Sequence, residues 1–145
     1  MYNSKLPKLY KLLGTKGTTN SKQLLDIGRK IFGNDFVGTF PADIFVNEIL
    51  PYMSSGQLAI VNTENNNEDG EHWVLFIKDN TDLLGYDSYG ENIKKYNPNF
   101  KNLKIIQDMK DAEQKSIPIE TNCGQRTLAS AIIYKKYGRK AFLKI

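Results

Sequence analysis

Cysteine is nearly absent from this chain. Cys123 is the only one in 145 residues, so no internal disulfide can form and a reducing, intracellular setting is expected. Histidine is as scarce, with His72 alone, and one Cys and one His cannot supply the four ligands of a structural zinc site. No stretch approaches the ~18 apolar residues of a membrane span, and the charged start lacks the apolar core of a secretory signal. These absences predict a soluble protein that needs neither a metal nor a cofactor. Acidic residues are also missing from both ends. None occurs from Met1 to Asn20 or after Glu120.

The acid-free ends are basic, through Lys5, Lys8, Lys11 and Lys16 and through Arg126, Lys135, Lys136, Arg139, Lys140 and Lys144. The formal net charge of +4 therefore sits at the termini, where it suits either solubility or contact with DNA or another anionic partner. A chain of this length forms one domain and buries about two-thirds of the surface its unfolded form exposes. Residues 1–18 read as a basic N-terminal arm and 19–145 as a single, monomeric domain.

Apolar periodicity predicts a helix over Ser21 to Phe32, with Leu24, Leu25, Ile27 and Ile31 near one face and Gly33 as its left-handed stop. A shorter helix is predicted from Ala42 to Tyr52, interrupted or ended by Pro51. Strands are predicted at Gln57–Asn62, Glu71–Lys78, Leu83–Ser88 and Leu103–Gln107. The loop from Thr63 to Gly70, with its run of three asparagines, is too polar for a core. A last helix is predicted from Cys123 to Tyr137, with Leu128, Ala131, Ile132 and Ile133 as its apolar surface and Gly138 at its C-terminal cap. Helices around a mixed or antiparallel sheet make the fold class α+β.

Chemistry concentrates in two short motifs, Glu71-His72-Trp73 and Asn122-Cys123-Gly124, with Tyr86-Asp87-Ser88-Tyr89-Gly90 between them. A thiol, an imidazole and a carboxylate are the nucleophile, base and orienter of a cysteine hydrolase. Asn122 is a favoured N-cap residue, which puts Cys123 in the first turn of the last helix. Lowering a thiol pKa from ~8.5 to about 6 takes roughly 3.4 kcal/mol at ~1.36 per unit. A helix terminus supplies only ~0.3–1 kcal/mol, or up to ~2, so an imidazolium is needed beside the sulfur and His72 is the one available. Free cysteines are commonly small buried hydrophobes, but the flanks Asn122, Gly124, Gln125 and Arg126 are not an apolar run. Gly124 removes a side chain where a substrate backbone would approach.

Strand parity links His72 to Asp87. His72, Val74 and Phe76 share one face. A two-residue Asp79-Asn80 turn sets His72 directly opposite Asp87, whereas a four-residue turn, Asp79 to Asp82, makes them diagonal neighbours at about 7–8 Å between backbones. An odd-length turn would separate them. Trp73 points to the other face, where it serves as core or as the wall of a substrate channel. An oxyanion needs fixed donors: the Cys123 backbone N–H is one, and Gln114 is the first side-chain candidate, ahead of Gln107 and Gln125.

With these residues in place, the chain resembles the adenovirus-type, adenain-like maturation proteases, within the larger group that includes SUMO-specific proteases. The resemblance rests on Phe36-Val37-Gly38-Thr39-Phe40, on Leu58 to Thr63 leading to Gly70-Glu71-His72-Trp73-Val74, on Tyr86 to Gly90, and on Asn122-Cys123-Gly124-Gln125. It spans roughly residue 20 to the end, in the family's order of His, acid, Cys. It implies a papain-like core and a metal-free cysteine endopeptidase that cuts viral capsid precursors at small, glycine-containing sites. Cys123 would be nucleophile, His72 base and Asp87 its orienter, with action in host cytoplasm, viral factory or virion. The family's oxyanion glutamine usually precedes the Cys by about six or seven residues, at Ile117 or Ser116 here, so assigning Gln114 assumes a small insertion. Activation by a disulfide-linked peptide is excluded by the lack of a second Cys.

Two other readings share the sequence. A protease for ubiquitin-like modifiers would use the same constellation on a Gly-Gly tail. A non-catalytic, basic nucleic-acid-binding module would instead show steeply salt-dependent DNA binding and an unreactive Cys123.

Overall fold

The computed structural model describes residues 21–65, 72–107 and 123–145, with Cys123 described through its backbone. The N-terminal arm, most of the polar loop, and Gln114 and Asn122 lie outside the described residues. The first element, α1 (Ser21–Phe32), has the predicted bounds. Leu24 is fully buried, Leu25, Ile27 and Ile31 pack beside it, and Gly33 takes φ 61° at the stop.

Strand β1 (Phe36–Pro41) was not expected, because Gly38 and Pro41 are poor strand residues. Its position explains the tolerance: it is the edge of the sheet, bulged between Phe36 and Gly38, where Pro and Gly are accommodated. It runs parallel to β2 (Leu58–Asn62), and a parallel pair requires a crossover. Residues 42–52 supply it. The predicted helix there has the predicted limits but changes pitch, from α2 (Ala42–Ile44) through a π-helical turn (Phe45–Ile49) to a 3-10 turn (Leu50–Tyr52) that holds Pro51.

The remaining strands are β3 (Trp73–Asp79), β4 (Asp82–Tyr86) and β5 (Ile105–Ile106). The five strands lie in sequence order in one mixed sheet, antiparallel for β2–β3 and β3–β4 and parallel for β4–β5. The strands predicted at 71–78, 83–88 and 103–107 are thus present but shorter, and His72 and Asp87 sit just beyond the ends of β3 and β4.

Both faces of the sheet are covered, which is why its central strands read as nearly continuous apolar runs. On one face Leu58, Ile60, Leu75, Ile77 and Leu84 pack with Leu24, Phe36 and the helix α3 (Cys123–Tyr137), through Leu128, Ala131 and Ile133. On the other, Ala59, Val61, Val74 and Phe76 pack with Phe45, Ile93 and Phe100. Phe76 stacks on Phe45 with centroids 4.9 Å apart and meets Phe100 edge-on at 5.5 Å. Truncating such a ring costs about 3–5 kcal/mol.

Helix α3 keeps its predicted limits and is followed, across Gly138 at φ 88°, by an unpredicted short helix, α4 (Arg139–Leu143). The buried hydroxyls of α3 satisfy themselves on its own carbonyls, Thr127 on Gly124 at 2.6 Å and Ser130 on Thr127 at 2.8 Å. That lets these two hydroxyls be buried where the helix lies against the sheet, alongside the buried polar side chains of Gln125 and Arg126. Among the described residues, no helix is long and apolar enough to cross a membrane.

Candidate active site

The β3–β4 hairpin sets the site. Its register pairs Lys78 with Leu83 and Asp79 with Asp82, so the tight turn is Asn80-Thr81, with Asn80 at φ 55°, a left-handed value that Asn tolerates. This is the register of the four-residue alternative, and its parity is even. Continued past Leu75↔Tyr86, it sets Asp87 opposite Val74 and leaves His72 one diagonal step away. The side chains close that step: His72 Nε2 lies 2.5 Å from Asp87 Oδ1.

Both groups are enclosed. The Asp87 side chain has no exposure and that of His72 only 9%. A buried carboxylate needs donors, and three converge on Asp87: the His72 ring N–H on Oδ1, and the Tyr96 hydroxyl at 2.7 Å and the Glu91 backbone N–H at 3.0 Å, both on Oδ2. Because an ionised carboxylate only accepts, this contact puts a proton on Nε2. In the neutral ring Nδ1 then carries the lone pair, which is the tautomer a general base requires. The rings of Tyr89 and Tyr96 flank the imidazole at centroid distances of 4.7 and 5.3 Å. The His72 carbonyl accepts from Thr63 N–H at 3.0 Å, fixing the backbone beneath the ring.

Cys123 begins α3, and the packing of that helix fixes which end of the sheet it faces. At the far end, Tyr134 donates to Asp79 at 2.8 Å and Lys135 to the Gly56 carbonyl at 2.7 Å. Arg139 then bonds both Asp79 and Asp82 at 3.1 and 2.9 Å, offsetting the repulsion of two carboxylates paired across strands. The C-terminus of α3 is therefore pinned at the hairpin end of β3, and its first residue lies toward the other end, where β3 begins and His72 and Asp87 are held.

Other expected site residues separate. Trp73 is half-buried and packs into the α3 side of the sheet, the face opposite Val74 and Phe76. Gly124 is buried in the first turn of α3. Gln107 is engaged elsewhere: its amide donates to the Glu91 carbonyl at 2.5 Å and accepts from Ile93 N–H at 3.2 Å, clamping the loop that carries Glu91. Gln125 is fully buried. Gln114 is outside the described residues.

Tyr96 and the Glu91 amide were not found from sequence. They come from the segment 91–100 of 3-10 turns (Ile93–Lys95 and Pro98–Phe100), which no periodicity signals. That segment is anchored by Ile93 and Phe100 in the core and by Asn97, which donates to the Thr63 carbonyl and to Asn65, each at 2.9 Å.

Basic C-terminal side chains are partly committed to structure. Arg126 is buried, Lys135 pairs with Asp35 at 2.8 Å, and Arg139 holds the hairpin. Among the described residues, no group of three or more His, Cys, Asp or Glu side chains could hold a metal ion. No family model, no curated protein and no solved structure matches this chain.

Proposed function

We propose that the protein is a cysteine endopeptidase with a papain-like arrangement, in which Cys123 attacks, His72 is the base and Asp87 orients it. The observation that carries this reading is the buried His72–Asp87 pair, with the helix that starts at Cys123 directed to the same end of the sheet. His72 takes the thiol proton on Nδ1, and the thiolate adds to the scissile carbonyl. The amine leaves with that proton, and water attacks the thioester with His72 again as base, releasing the acid and restoring the thiol. The N–H groups of the first turn of α3, with Gln114, hold the oxyanion.

The substrates are viral capsid or other structural precursor proteins cut at small, glycine-containing sites, as the resemblance to adenain-like proteases implies. Co-expression with such a precursor tests this. Cleavage by the wild-type chain should disappear in Cys123→Ala, and cleavage that persists in that variant overturns the reading.

A further inference from the structure

We propose that Tyr96 is a positioning residue that acts on His72 through Asp87, sharing the carboxylate's charge and so limiting how strongly Asp87 holds a proton on the imidazole. The inference rests on the catalytic reading above for its consequence, but its physical content is the geometry of one buried carboxylate. Oδ1 faces His72, and Oδ2 accepts from Tyr96 at 2.7 Å and from Glu91 N–H at 3.0 Å. Donors that share one acceptor compete for its charge, because each polarises the carboxylate away from the others.

The hydroxyl is built to remain a donor. Burial, followed by the hydrogen bond to Asp87 and that carboxylate's charge, pushes the Tyr96 phenol far above its ordinary range, so it stays protonated wherever His72 titrates. Its placement is also constrained. Asn97 ties the next residue to Thr63 and Asn65, and Ile93 is fully buried three residues before. Gly85 in β4 lets this segment come close: a Cβ there would lie 2.8 Å from Ile93 Cδ1 and 2.7 Å from Ile105 Cγ2. Among the described residues, the titratable groups in contact with the imidazole are Asp87, Tyr89 and Tyr96. Glu91 and Lys95 form an ion pair at 2.8 Å beside Tyr96, with the Lys95 ammonium 5.9 Å from its ring centroid.

Removing the hydroxyl leaves more of the carboxylate's charge for the imidazolium, and strengthening the hydroxyl as a donor leaves less. The single histidine gives an unobstructed NMR signal in the full chain, and the Cys123→Ala background removes both self-cleavage and the thiol's own charge. In that background Tyr96→Phe should move the His72 titration to higher pH by about half a unit. Installing 3,5-difluorotyrosine at position 96, a more acidic phenol of nearly the same shape, should move it to lower pH and covers the case in which the Phe variant does not fold. An unchanged titration, or a shift of the opposite sign in either protein, overturns the proposal. A titration that fails to move while Cys123→Ala abolishes cleavage removes only the role of Tyr96. Cleavage that survives Cys123→Ala removes the catalytic reading while the titration still reports the coupling.

Discussion

His72 and Asp87 meet at 2.5 Å across a diagonal of the β3–β4 hairpin, not across a directly paired position. The β3–β4 ladder stops at Leu75 and Tyr86, while β3 stays paired with β2 as far as Trp73 and the His72 carbonyl still accepts from Thr63 N–H. His72 is therefore held at the end of its strand, and Asp87, just past the end of β4, meets it there. Extra loops then hold the carboxylate from behind. The pair is thus a product of hairpin parity, early strand termination and the segment 91–100 acting together.

The thiol should be activated by this pair. Alkylation of Cys123 by iodoacetamide at pH 6 should run well above the rate of a model thiol, because an ordinary thiol at pKa ~8.5 is under 1% ionised there. In His72→Ala the rate should drop to about the model value. A wild-type rate no faster than the model thiol would count against catalysis and for a scaffold role.

Asp87→Asn should keep the fold but weaken the base. The amide can present its N–H to the ring and so favour the wrong tautomer, and a loss of activity of about 10²–10⁴-fold is expected, toward the upper end if the tautomer inverts. Asp87→Ala should in addition remove the acceptor of the part-buried Tyr96 hydroxyl and Glu91 N–H, costing about 0.5–1.5 kcal/mol for each hydrogen bond lost. Urea unfolding of the two variants separates these effects: equal stabilities would show that the donors do not depend on Asp87.

Gln107 is predicted to act on structure. Gln107→Leu removes both clamps on the 91–93 backbone and should cost roughly 1–3 kcal/mol, with a matching fall in the urea midpoint. Complete loss of cleavage at unchanged stability would instead assign Gln107 to the reaction.

Close packing at Gly85 should make Gly85→Ala destabilising by about 1–3 kcal/mol, since the added methyl meets Ile105 and Ile93. Thermal unfolding measures it. A stability equal to the wild type would mean that the segment 91–100 yields easily, and with it the placement of Tyr96.

Tyr134 provides a pH test remote from the site. Burial, then its hydrogen bond to Asp79, raises its pKa from 10.0 to about 12. A raised folded-state value means that the unfolded chain loses this proton first, so the contribution is fully present below pH ~10 and is lost between ~10 and ~12. Tyr134→Phe should flatten the fall in stability over that window, as read by urea midpoints at stepped pH. An identical slope in the two proteins would remove Tyr134 as its source.

Local chemistry determined much of this molecule. Apolar spacing with a following glycine set α1 and α3 to the residue, because a 3.6-residue period and a left-handed stop are properties of short stretches of chain. Alternation in 72–76 likewise fixed which residues share a face, and even turn parity sufficed to bring His72 and Asp87 to one side. The α+β class followed from those elements. Tertiary structure alone decided the rest. Strand β1 exists despite Gly38 and Pro41 because it needs to pair along only one edge. The 42–52 helix changes pitch as it bridges two parallel strands. Tyr96 and the Glu91 amide reach Asp87 because burial of Ile93 and Phe100 draws an irregular segment against the sheet, and contacts of that kind leave no period in the sequence. The scarcity of Cys and His singled out Cys123 and His72 as candidates, while the groups that hold the His72–Asp87 pair were set by packing between segments distant along the chain.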